Sequence, residues 1–236
     1  MVIKPENIKH KYILWLVYAL VVIHTIHWTI CYTLAILGGQ MKYPNFFLSK
    51  AMEFDPSRII ANILMPLIAV MTAAILLLRT VLLQQVIQSR IHRILWTVFA
   101  ACSAILPLSM IAVPAIPYSN SNFGHLVPAF LVFVSSFTIM AVSCWLDSSL
   151  ELPVTPLVKH LRLCLTIGAC SGTVVFGIFF WPNPFISSIF ELIGAGCMTL
   201  FIVSLAHPED FFSTKSSNSK LRPQDDESNA TTVDNA

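Results

Sequence analysis

The sequence predicts an all-α polytopic membrane protein, with six transmembrane helices in a compact bundle and both termini in the cytosol. Three observations carry this reading. Six apolar stretches, 12–37, 59–78, 94–116, 126–146, 163–181 and 186–205, each match the ~20 residues a helix needs to cross the hydrocarbon core. None shows strand-like alternation, and only helices or closed barrels satisfy their own backbone in lipid. The chain is also 56% hydrophobic and only 11% charged, with a mean hydropathy of +0.75, far from an ordinary soluble domain.

The six spans use more than half of the 236 residues, so residues 1–212 form one transmembrane domain with no room for a soluble catalytic one. The first stretch is too long for a signal-peptide core and lacks a small-residue cleavage site, so it is expected to stay as a helix. With the N-terminus inside, the inner segments hold Lys4, Lys9, Lys11, Arg79, Arg90, Arg93, Lys159, Arg162, Lys215, Lys220 and Arg222. Only Lys42, Lys50 and Arg58 fall outside, which is the bias the positive-inside rule describes. Trp15, Trp96, Trp145 and Trp181 lie near span ends, where interfacial tryptophans belong. This topology leaves the sequon Asn229-Ala230-Thr231 silent, and a glycan on Asn229 would overturn it.

The connecting segments differ in kind. The first outer loop, 38–58, carries Tyr43-Pro44, Glu53 and Asp55-Pro56; it is either a structured cap over the bundle or a solvated connector. The inner segment 80–93 is either an amphipathic continuation of the second helix, with Arg90 and Arg93 at the headgroups, or a plain basic loop. The second outer loop, 117–122, is uncharged and turn-rich. Beyond Phe212 the composition is that of a disordered cytosolic tail, 213–236, where Ser216, Ser217 and Ser219 flank Lys220 and Arg222.

All six cysteines fall in or at the ends of spans, so no disulfide framework is expected. Cys144 and Cys164, near the inner surface, are candidates for acylation. Gly168 and Gly172 make a GxxxG in the fifth span and Gly194-Ala195-Gly196 lies in the sixth; small residues of this kind let helices approach closely. Pro66, Pro107, Pro114 and Pro128 are expected to kink helices or sit near their ends.

Glu191 is the only Asp, Glu, Lys or Arg inside the six stretches. A charge near mid-membrane costs several kcal/mol, so such a residue faces a partner or a wet cavity. Gly194 and Ala195 share its face at i+3 and i+4, which points Glu191 into a helix contact. His125 opens the fourth span, Asn62 lies in the outer part of the second, and His24 and His27 stand one turn apart in the first. These five residues either line a polar pocket or, with Glu191 as a strut, fix the bundle. Nothing in their spacing requires a metal, and no cofactor is expected. No nucleophile elbow, phosphate-binding loop or HExxH occurs, and Ser103, Ser109, Ser135 and Ser136 read as ordinary helix serines. The formal charge of +2, without a basic run interleaved with aromatics, argues against nucleic acid.

The order of these marks resembles the DRAM/FRAG family of six-span proteins, which share a CWH-type N-terminal domain. Those marks are Gly38-Gly39 and Tyr43-Pro44, Asn62, His125, Glu191 and the closing Asp210-Phe211. The chain departs from the family where Tyr43-Pro44 continues as Asn45-Phe46-Phe47-Leu48 rather than Ile-Ser-Asp, and where Leu192 replaces a Trp after Glu191. The resemblance implies a non-enzymatic membrane regulator of autophagy and lysosomal function, acting through membrane lipids and protein partners, in lysosomal or other endomembranes. The plasma membrane or Golgi is the alternative residence. A lipid (GPI-anchor) remodelling factor is the second reading, which would keep an enzymatic role open. A transporter or proton relay through Glu191 ranks last, because one carboxylate with no inner-half counterpart makes no continuous path and no paired broken helices appear. Oligomeric state stays open.

Overall fold

A computed structural model describes residues 10–42, 46–87, 89–117, 121–150, 152 and 154–206. Tyr43, Pro44, Asp210, Phe211, the sequon and the tail 213–236 lie outside these residues. The elements are α1 (His10–Leu37), α2 (Leu48–Ala51), α3 (Ser57–Val86), α4 (Arg90–Ala115), α5 (Asn122–Ser149), α6 (Pro156–Phe179) and α7 (Pro184–Ser204). Among the described residues there is no strand, and six helices, all but α2, are long and apolar enough to span a bilayer.

Local chemistry sets the helix ends. The hydroxyl of Ser89 accepts from the His92 amide at 3.2 Å, and that of Ser121 from the Gly124 amide at 3.0 Å. The Asn183 side chain does the same for Ile186, with Pro184 supplying the first helical φ. At the end of α1, Gly39 takes φ +69°. The Gln40 amide then donates to Ala35 O at 2.9 Å and the Gly39 amide to Ile36 O at 3.0 Å. This crossed pair is a Schellman motif, whose left-handed residue favours glycine.

Two helices run further than hydropathy predicts. α3 continues to Val86, so segment 80–93 begins as an extension of the second helix. Its 30 residues make about 45 Å of helix, longer than the ~30 Å hydrocarbon core. Trp96 Nε1 donates to Thr80 O at 2.9 Å and fastens this extension to α4. α5 reaches Ser149, which takes Asp147 into the helix. Arg79, Asp147 and Arg162, each one residue beyond a predicted apolar stretch, are therefore helical and buried. The expectation that Glu191 is the one charge within the spans is corrected by these three.

The long helices form a ring in which α1, α3, α4 and α5 pack in sequence and α6 and α7 pair tightly, while the seam between α7 and α1 is slight. The core is Ile68, Ile75 and Leu76 of α3, Phe99 of α4, Ile139 and Met140 of α5 and Phe201 of α7. Trp15, Leu108, Phe130, Val174 and Leu200 face outward, as lipid-facing positions should. Pro66, Pro107, Pro114 and Pro128 all lie inside helices.

The GxxxG is the α6–α7 contact. A Cβ on Gly172 would stand 3.2 Å from Phe190 O and 3.3 Å from Gly194 N. A Cβ on Gly168 would meet only the Cys197 side chain, at 3.0 Å. Backbone cannot swing aside, so Gly172→Ala is expected to lose about 1 kcal/mol through overpacking. Gly177→Ala, with nothing within 4 Å of its Cβ, should lose nothing. Thermal denaturation of the two variants in the same detergent checks this difference.

Candidate functional site

The end of the bundle that carries α2, the one the charge bias leads us to expect on the outer side, is organised by Glu191. It sits in the second turn of α7, 9% exposed. Glu191 Oε2 accepts from the Leu48 amide at 2.7 Å, and the Ser49 amide also donates to this carboxyl group. These are the first N–H groups of α2, which no intrahelical carbonyl reaches. Phe47, the residue before α2, provides no side-chain cap. A carboxylate from a helix 143 residues away in sequence therefore does the capping, and the positive end of a short helix suits a negative group.

The rest of the first outer loop is fastened in the same direction. Tyr32 Oη donates to Phe46 O at 2.9 Å. Phe47 packs on Phe176 of α6 and on Phe180 just past its end, with ring centroids 6.2 and 5.5 Å apart, and Phe46 lies 6.3 Å from Phe185. Ala51 and Met52 are buried. Glu53 is half-buried, whereas Asp55 is exposed and its carbonyl accepts from Gln40 Nε2 at 2.7 Å. Of the two readings of this loop, the structured cap is the one the fold adopts. Phe46 and Phe47 are the residues that dock it.

Beneath the cap lies a cavity of about 140 Å³. Glu191, Leu48, Ser49 and Met52 line its outer part; Leu20, Leu106, Met198 and Ile202 line its depth, while His24, His27 and Trp28 face it from α1. His24 Nδ1 is 3.4 Å from Thr199 Oγ1 across the α1–α7 seam, and the Trp28 ring stands edge-on to His24 at 4.7 Å. His27 is fully buried, and neither of its ring nitrogens has a hydrogen-bond partner.

The five sequence candidates thus separate. Glu191, His24 and His27 share the cavity. His125 is buried at the start of α5 with Nδ1 2.7 Å from Ile116 O, where it ties the α4–α5 connection rather than lining the cavity. Asn62 lies on the exposed face of α3. Cys144 is half-buried with Sγ 3.5 Å from Thr166 Oγ1, whereas Cys164 is exposed. Among the described residues no three of His, Cys, Asp or Glu stand close enough together to hold a metal.

The opposite end of the bundle holds the constellation that hydropathy did not isolate. The Asp147 carboxylate of α5 lies between two guanidiniums. Arg79 of α3 donates to Oδ1, and Arg162 of α6 donates to Oδ2 from Nη1 at 2.6 Å. Arg162 Nε reaches Ser204 Oγ at 3.2 Å, and its Nη2 donates to the Ser204 carbonyl. Ser204 is the last residue of α7, so this guanidinium also meets the negative end of the helix. All three charged side chains are at most 2% exposed. Arg79 and Arg162 are consequently not headgroup-facing loop charges, which corrects their assignment to the inner loops. Asp147 also supplies the inner-half carboxylate whose absence was counted against a relay, though both its oxygens are engaged.

From Glu191 to Ser204, α7 runs about 20 Å, and it is held by a polar clamp at each end. A family model described as the Frag1/DRAM/Sfk1/Cwh43P N-terminal domain matches residues 12–208. No curated protein and no solved structure matches the chain. The matched segment takes in all six spans, the cap and both clamps, and the chain belongs to the Frag1/DRAM/Sfk1/Cwh43P N-terminal domain family.

Proposed function

We propose that this protein is a non-enzymatic membrane regulator of autophagy and lysosomal function, acting through protein partners in the membrane. The observation that carries the non-enzymatic part is the use made of the intramembrane carboxylates. Glu191 caps α2 and Asp147 holds two arginines, so both carboxylates are occupied in contacts that hold the fold. The autophagy part rests on the resemblance to DRAM proteins and on the family match. Lysosomal or other endomembranes are the proposed residence.

Cells lacking the protein should show altered autophagic flux under starvation, measured as lysosome-dependent turnover of lipidated autophagosome markers with and without a lysosomal inhibitor. Unchanged flux sinks the reading. The cavity favours a second reading, a lipid-remodelling factor for GPI-anchored proteins. That reading requires depleted surface GPI-anchored proteins in the same cells and a Golgi rather than lysosomal location. Normal surface levels dispose of it.

A further inference from the structure

We infer that α6 and α7 form a rigid hairpin that swings as one body about the Arg79–Asp147–Arg162 network and opens at the α2 end. The first observation is where the packing lies. α6 and α7 pair more closely than any other two helices, α1, α3, α4 and α5 pack on one another in sequence, and the contacts between these two groups are thinner. Gly172 brings α6 against the Phe190 carbonyl and the Gly194 amide of α7. Ser187 Oγ donates to Phe176 O at 2.8 Å near the turn of the hairpin, and Arg162 Nε donates to Ser204 Oγ at 3.2 Å at its other end. The hairpin is therefore fastened to itself along its length. Buried Ile68, Ile75, Leu76, Phe99, Ile139 and Met140 give the four-helix group a core of its own.

The second observation is the position of the cavity. Its walls come from α1 to α5 on one side and from α7 on the other, with no residue of α6. The space of about 140 Å³ is thus a gap between the hairpin and the four-helix group. Atoms that face a gap lack the dispersion contacts that would hold the two together. Well-packed groups joined across such a boundary move as rigid bodies, by hinge or by shear.

The third observation is the placement of the attachments. The short connection 150–155 ties α6 to α5. At that end Asp147 of α5 joins Arg79 of α3 to Arg162 of α6, with all three side chains buried. Breaking a buried pair of this kind is costly, which makes this end the pivot. The turn of the hairpin, 180–183, lies at the α2 end and has no covalent link to the four-helix group. There the two meet through Glu191 on the amides of α2. They also meet through the rings of Phe46, Phe47 and Phe133 on those of Phe185, Phe176 and Phe180, and ring pairs tolerate a range of offset and tilt. From Arg162 to the turn α6 runs about 27 Å, so a swing of about 10° moves the turn by about 5 Å. The regulatory reading does not depend on this inference.

The test uses the purified full-length protein in phosphatidylcholine nanodiscs and reads distances between pairs of spin labels by double electron–electron resonance. The labels are carried on a ketone-bearing unnatural amino acid, which spares the six native cysteines. They replace outward-facing helical residues: Ile63 with Phe130 within the four-helix group, Ile63 with Ile178 across the α2 end, and Ile91 with Leu157 across the clamp end. The 63–178 distribution should hold a second population at a different distance, while the other two pairs each give a single one. Glu191→Ala should raise that second population by about twofold or more. If Glu191→Ala is not monodisperse, Phe47→Ala is expected to give the same rise. A 63–178 distribution as narrow as the 63–130 one, and unmoved by the folded variants, would overturn the proposal. So would broadening of 91–157 equal to that of 63–178, because the hairpin would then detach rather than pivot.

Discussion

Asp147→Ala is expected to be the most damaging single substitution in the bundle, at about 3–5 kcal/mol, because it removes one partner of a buried ion network. Arg79 and Arg162 are both at most 2% exposed, and both donate to this one carboxylate. With the carboxylate gone, two like charges face each other in a low-dielectric setting. The loss should also loosen the end of α7, because the same Arg162 side chain binds the Ser204 hydroxyl and carbonyl. Fluorescence-detected size exclusion before and after a heat step would report the change as a lower melting temperature and a smaller monodisperse fraction. Asp147→Glu keeps the charge and should recover part of the loss. A wild-type melting curve for Asp147→Ala would mean that the network contributes no net stability.

Glu191→Ala carries the second largest expected effect and, unlike Asp147→Ala, a local one. The variant takes from α2 the side chain that accepts its first amides, and leaving a buried amide unpaired costs about 1–3 kcal/mol. The aromatic contacts of Phe46 and Phe47 remain, so the bundle should stay assembled while the cap loosens. Hydrogen exchange should rise in residues 46–56 and stay unchanged in the α6–α7 contact around Gly172. Glu191→Gln retains a carbonyl oxygen able to accept from the Leu48 amide and should show little of this. Exchange rising equally throughout the bundle would place Glu191 in the global fold rather than in the cap.

Much of this was legible in the sequence, and for physical reasons. Helix length against bilayer thickness gave the six spans, because a lipid-exposed backbone has few solutions. The GxxxG marked a close helix contact without naming its partner, and the fold makes that contact between α6 and α7, with Gly172 against the Phe190–Gly194 backbone. Glu191 stood out because an isolated carboxylate in an apolar run is costly and therefore used. Its partner did not, because the acceptors of α2 come from a helix far along the chain and no local pattern records the pairing.

The inner network was hidden for a different reason. Arg79, Asp147 and Arg162 each stand at the edge of a hydropathy window, where charges are ordinary, and counting basic residues merges them with the headgroup charges. The available signal was Asp147 itself, an acid directly after an apolar stretch. His27 gave no signal at all, since a histidine in a membrane helix looks the same paired or unpaired.

Glu191 holds the cap through the Leu48 amide, and the proposed regulatory function leaves it no chemistry to perform. The most direct test is starvation-induced autophagic flux in cells lacking the protein, rescued by wild type or by Glu191→Gln at matched abundance. Equal flux per molecule is the predicted result. A Glu191→Gln protein that reaches normal abundance and location yet restores no flux would contradict the account, and would make Glu191 a functional group rather than a strut.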